Sequence, residues 1–110
     1  MAGFSYQPAP VTGSFTASGQ NSAAVNFFGV FSVFVGGSFS ATVEIERSPD
    51  GTNWYPCSTD ATGTVASYTA PMSVDVNAAQ YGILYRLSCT GYTSGTVNYV
   101  MWQGSQDVAV

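Results

Sequence analysis

Lysine and histidine are absent from this chain of 110 residues, and only Arg47 and Arg86 carry positive charge against six acidic side chains, giving a net charge of -4. Without a basic patch there is no electrostatic footprint for nucleic acid or for an anionic membrane surface. Without histidine, the usual zinc sites and Cys-His nucleophilic catalysis lack their parts. Charged residues make up 7% of the chain, against roughly 25% in ordinary soluble domains. The surface must then be uncharged and polar, or be covered in part by partners, and partial cover is the expectation.

Cysteine is scarce too. Cys57 and Cys89 stand outside any CxxC pair. The opening stretch MAGFSYQPAPVTGS has neither the basic start nor the apolar run of an export signal. Two reduced thiols packed in a core are therefore expected rather than a disulfide. The length suits one domain, large enough to bury a core without metals or several disulfides.

Against this neutral background the segment NFFGVFSVFV, residues 26–35, places four phenylalanines and three valines in ten positions. It is too short to cross a bilayer, which takes about 20 apolar residues. Phe27, Phe28, Phe31, Phe34 and Val35 fall near a helical stripe, but Gly29, the valines and the closing Gly36-Gly37 pair favour a strand. In that strand Phe27, Gly29, Phe31, Val33 and Val35 share one face, and Phe28, Val30, Ser32 and Phe34 share the other. Both faces are apolar, so one fills a core and the other meets a partner or a loop folded back over it.

The following SATVEIER alternates cleanly, with Ala41, Val43 and Ile45 on one side and Thr42, Glu44 and Glu46 on the other. Gly36-Gly37 between the two runs suggests a hairpin of Asn26–Val35 with Phe39–Ser48. SPDGTNWYPC supplies a tight turn into Trp54 and Tyr55 and so a second hairpin. In SYTAPMSVDV, Tyr68, Ala70, Met72, Val74 and Val76 fall on one face, and Pro71 restricts that segment to an edge. GILYRLSCTGY turns Ile83, Tyr85, Leu87 and Cys89 inward, and YTSGT returns the chain into VNYVMWQ as a last hairpin. Tyr81 or Tyr85 suits a tyrosine corner or ordinary core packing. No stretch shows a capped helical pattern.

The expected fold is all-β: a single antiparallel β-sandwich, immunoglobulin-like or jelly-roll-like, with about seven to eight strands. Residues 1–12 form an extended arm, 13–104 the sandwich and 105–110 a short tail.

Few groups suit catalysis. Glu44 and Glu46 stand about 7 Å apart by the strand repeat, but same-strand neighbours do not flank a substrate, so they read as outward charges near Arg47 or Arg86. Asp50 beside Gly51 reads as a turn residue, because a calcium ion needs a cluster of oxygen ligands. No enzyme, metal site or cofactor is expected. The aromatics Trp54, Tyr55, Tyr92, Tyr99 and Trp102 suit either core packing, a sugar-binding platform centred on Trp54, Tyr55 and Trp102, or a protein interface.

The segments VEIERSPDGTNWYPC and YRLSCTGYTSGTVNYVMWQ resemble the small all-β virion proteins encoded among the head and tail genes of tailed bacteriophages. The likeness spans residues 39–103. It rests on the S-x-D-G-x-x-W turn and on YR-x-x-C-T-x-Y-T-S-G-T-V-x-Y. The resemblance implies a head decoration or cement protein on the capsid exterior, made in the host cytoplasm, commonly trimeric, and partnered by the major capsid protein. The alternative is a carbohydrate-binding or adhesin-type sandwich of a tail fibre or baseplate. Candidate interface residues are Phe4, Tyr6, Pro8, Pro10, Phe28, Val30, Phe34 and Trp102. Neither a nucleic-acid nor a membrane partner is expected.

Overall fold

Period-two alternation of apolar and polar side chains dominates the chain, and extended backbone is the conformation that sends such residues to opposite faces. The computed structural model describes residues 4–6, 9–58, 63–78, 82–103 and 106–108. Its strands, in order, are β1 (Phe4–Tyr6), β2 (Val11–Phe15), β3 (Val25–Asn26), β4 (Gly29–Gly36), β5 (Phe39–Ser48), β6 (Tyr55–Pro56), β7 (Ser67–Tyr68), β8 (Met72–Ala78), β9 (Leu84–Gly95), β10 (Val97–Trp102) and β11 (Gln106–Val108). No helix occurs among the described residues. One sheet runs β2-β10-β4-β8; a second runs β3-β9-β5, with β6 and β7 both on the far margin of β5. β1 pairs with β11, so the segments near the two ends of the chain meet each other.

The two larger sheets are antiparallel throughout and pack face to face around one core. Phe31, Val33, Val35, Val97 and Met101 face inward from the first; Val43, Ile45, Tyr85, Leu87 and Cys89 face inward from the second. The Tyr85 ring meets Phe31 edge-on at 4.9 Å between centroids, which ties the sheets directly. Phe27 stacks on Phe31 at 4.2 Å, and Phe15 on Tyr99 at 4.5 Å. Each such ring removed from water contributes about 1.5–3 kcal/mol. Cys57 and Cys89 are free thiols, both buried.

Two of the expected hairpins do not form. The expected strand Asn26–Val35 is split, with Asn26 on β3 beside β9 and the rest on β4, so that β4 and Phe39–Ser48 fall in different sheets, as do β9 and β10. The pairs are instead β4 with β10, where Gly36 faces Asn98, and β5 with β9, where Phe39 faces Gly95. The run β4–β5 and the run β9–β10 thus form one long antiparallel ribbon that bends sharply in the middle, half in each sheet. Glycine at positive φ closes a hairpin, but it also lets a strand turn a corner between packed sheets. The hairpin joining β5 to β6 through the SPDG turn does form, with Arg47 opposite Tyr55.

At the corner the two runs touch through their backbones. The Thr96 N–H donates to the Ser38 carbonyl at 3.0 Å. Gly37 and Gly95 have φ of 100° and 88°. A methyl group on Gly37 would meet the Thr96 carbonyl oxygen, and one on Gly95 would lie 2.6 Å from the Phe39 Cα and against the Ser38 carbonyl. Tyr92 closes the same corner by donating its hydroxyl to the Gly95 carbonyl at 2.5 Å.

Tyr68–Val76 likewise divides between the sheets, with Tyr68 at the end of β7 and Met72 starting β8. Pro71 sits in the crossing rather than in a strand. Among the described residues β8 is an edge, paired with β4 alone. The strand β2 begins at Val11, with Thr12 already opposite Val100. Tyr85 is a core residue, buried with its ring against Phe31, and Tyr81 lies outside the described residues.

The corner yields a stability prediction with an internal control. Gly95→Ala and Gly37→Ala should each destabilise the chain by about 1–3 kcal/mol or more. Gly36→Ala, next in sequence with open space around it, should cost about 1 kcal/mol or less. Urea unfolding of the three variants checks this.

Candidate functional site

Strand β4 lies between β10 and β8, and that position decides what its outward side chains meet. Phe34 faces Val100 on one side and Ser73 on the other; Ser32 faces Trp102 and Asp75; Val30 faces Asn77. Residues directly opposite in an antiparallel pair share a face. The two central strands therefore carry Val30, Phe34, Val100 and Trp102 outward. The outer strands turn polar residues the same way: Ser73, Asp75 and Asn77 on β8, and Thr12 and Ser14 on β2.

The apolar residues of this face are in contact with solvent. Relative exposure is 53% for Val30, 45% for Phe34, 43% for Trp102, and 42% for Phe28 just ahead of β4. Around them the polar groups bond to one another: the Ser32 hydroxyl donates to the Asp75 carboxylate at 2.6 Å, and the Ser14 hydroxyl to the Asn98 side-chain oxygen at 3.0 Å. Their hydrogen-bonding capacity is partly used within the chain, which leaves a nearly uncharged surface with an apolar middle.

Gln103 sets the start of β4. It continues the inward series Val97, Tyr99, Met101, and it is fully buried. Its side-chain amide donates to the Phe28 carbonyl at 2.6 Å and to the Val30 carbonyl at 3.2 Å, and its oxygen accepts the Phe28 N–H at 3.3 Å. A buried amide with three backbone partners fixes the segment from which Phe28 and Val30 project. The period-two pattern of VNYVMWQ already placed this polar residue inward, a signal that sequence reasoning passed over.

The outer face of the other sheet has the opposite character. Glu44 and Glu46 point outward there, opposite Ser88 and Arg86. Arg86 Nε lies 2.9 Å from Glu46 Oε1, both half-buried, and its guanidinium stacks 4.2 Å from the Trp54 ring centroid. Glu46 is thereby an ion-pair partner. At the hairpin turn, Ser48 is fully buried; its hydroxyl accepts the N–H groups of Asp50 and Gly51 and donates to the Asp50 carboxylate. Asp50 accepts the N–H groups of Asn53 and Thr52, each at 2.8 Å, together with the Asn53 side chain. These bonds, the Asn53 backbone first, hold its carboxyl far below the usual carboxylate range.

Of the candidate interface residues, Val30, Phe34 and Trp102 are brought to one face, with Phe28 exposed beside its first strand residue. Phe4 and Tyr6 lie in β1 against β11, Pro10 is exposed, and Pro8 lies outside the described residues. The candidate sugar-binding rings are not gathered: Tyr55 lies on β6 of the five-stranded sheet, Trp54 just before it against Arg86 of that sheet, and Trp102 on the other sheet. Tyr99 is buried in the core, and Tyr92 closes the corner. Among the described residues no group of three or more His, Cys, Asp or Glu side chains could hold a metal ion. No family model, curated protein or solved structure matches the chain.

The Asp50 turn gives a pH prediction. A carboxyl depressed in the folded state stabilises it above the ordinary carboxylate range, near pH 4, and that stabilisation is lost as pH falls below it. The urea midpoint should fall on acidification from about pH 4 downward. Asp50→Asn should lower the midpoint at pH 7 and flatten the acid limb, as denaturation curves across pH 2–7 would show.

Proposed function

We propose that the chain is a non-enzymatic structural protein of a virion, a decoration protein that binds the outside of a phage head and stabilises it as an oligomer. One observation carries the adhesive part of this reading: the outward face of β4 and β10 is apolar and solvent-exposed, while the corresponding face of the other sheet bears an ion pair. Protein interfaces have this anatomy, an uncharged aromatic and aliphatic centre within a polar rim. Exposed apolar patches on small domains mark interaction sites. The virion setting, the trimer and the major capsid protein as partner rest on the sequence resemblance alone. Within the same reading, the two packed sheets form an immunoglobulin-like or jelly-roll-like sandwich.

The low charge of the chain fits this role. Of its two cations, Arg86 is held by Glu46 and Trp54, and the apolar face carries Asp75 as its charged residue. Burying such a face costs little desolvation of charge. A sugar-binding adhesin would need its rings on one surface, and here each sheet holds only part of the set.

Phe28→Ser and Phe34→Ser together should weaken self-association and binding to purified phage heads by roughly tenfold or more, and change unfolding stability by about 1 kcal/mol or less. Light scattering, co-sedimentation with capsids and thermal melts read the three quantities. A wild-type monomer that fails to bind capsids would overturn the proposal. Unfolding of the double variant would show that this face is core.

A further inference from the structure

On the side away from β2, the edge strand β8 stands beside the broken margin of β5, and the sheets leave a cleft of about 510 Å³ between them. That volume lies within the range of small-molecule sites, about 300–1,000 Å³. Its walls are apolar in the middle, with Ile45 from β5, Val74 and Val76 from β8, and the rings of Tyr68 and Tyr85. Arg47 stands among them, exposed to solvent, opposite Tyr85 on β9 and Tyr55 on β6. It also borders an adjoining groove of about 260 Å³ that includes Tyr55 and Ile83.

Arg47 differs from the other cation of the chain. Arg86 is paired with Glu46, whereas Arg47 has no ion-pair partner among the described residues. Arg47 stands directly opposite Tyr85 in the β5–β9 register, and both border the cleft. The guanidinium can only donate, and a tyrosine hydroxyl can donate as well as accept, so the pair offers N–H and O–H donors to one bound group. Burial raises the Tyr85 pKa, although the neighbouring Arg47 charge pulls the other way, and burial likewise raises that of Cys57 on the same cleft. Both groups are neutral at pH 7 and add no negative charge. Asp75 also borders the cleft, but its carboxylate accepts the Ser32 hydroxyl on the outer face.

We propose that this cleft binds a small amphiphilic monoanion, a carboxylate on an apolar chain or ring, with the apolar body between the sheets and the carboxylate on Arg47 and the Tyr85 hydroxyl. A guanidinium fork and an adjacent O–H donor match a carboxylate. A single cation in a chain of net charge -4 suits one negative charge better than the two of a phosphate monoester. The site is separate from the apolar face of β4 and β10 and does not depend on it.

The test is titration of the full chain with sodium octanoate and, separately, with 1-octanol, followed by methyl and amide NMR. Saturable shifts at Val74, Val76 and Ile45 are expected, with octanoate about tenfold tighter than octanol. Arg47→Gln, an exposed position, should erase that preference without lowering the melting temperature. Tyr85→Phe, which keeps the ring in the core, should reduce it, and Phe34→Ser should leave it unchanged. Equal affinity for the two probes, preference retained in Arg47→Gln, shifts centred on Val30 and Phe34, or no saturable shift at the cleft would each overturn the proposal.

Discussion

The backbone contact between Gly37-Ser38 and Gly95-Thr96 is the constraint on which the packing of the two sheets depends. Two consecutive pairs of strands, β4–β5 and β9–β10, leave one sheet and enter the other at the same point. They can do so together only if their chains approach more closely than side chains allow, with both glycines in the left-handed region. The bend lets one ribbon form the centre of both sheets. Every other strand of the two sheets joins it from the side: β2 and β8 on one half, β3, β6 and β7 on the other. The corner therefore fixes which residues of β4 and β5 face each other across the core.

The bend also explains why the two outer surfaces differ. β4 and β5 are neighbours in sequence, yet one carries phenylalanine and valine outward and the other glutamate. Had they paired as a hairpin, the outward sets would have shared one mixed surface. Because they lie in opposite sheets, the charge gathers on one exterior, as the Glu46–Arg86 pair beneath Trp54, and Val30, Phe34 and Trp102 gather on the other. A nearly uncharged apolar face backed by a rigid sheet is suited to adhesion, since little polar desolvation opposes its burial.

Much of the local structure was legible from alternation. Phe27, Phe31, Val33 and Val35 face inward while Phe28, Val30 and Phe34 face out, and Ala41, Val43 and Ile45 are buried on β5, as the period of two requires. The SPDG turn, too, is as its residues dictate, because proline, aspartate and glycine each restrict the local backbone. Strand partners were not legible. Gly36-Gly37 and Ser94-Gly95-Thr96 have hairpin composition, but the same positive-φ geometry serves a corner, and the choice depends on residues about 60 positions away in sequence. The dependence of Phe28 and Val30 on Gln103, which lies 75 and 73 residues from them, escaped for the same reason.

What the sequence determined by itself is the set of faces: which side chains of each strand point together, where turns fall, and that charge is too sparse to cover the surface. Those properties follow from backbone geometry within a few residues, so local pattern suffices. Tertiary structure decided which faces meet. It placed Arg47 beside Tyr85 at a cleft, set Arg86 under Trp54, and left β4 and β10 with an open apolar exterior, because strand pairing is a contact between distant segments and a glycine corner and a glycine hairpin share one local conformation.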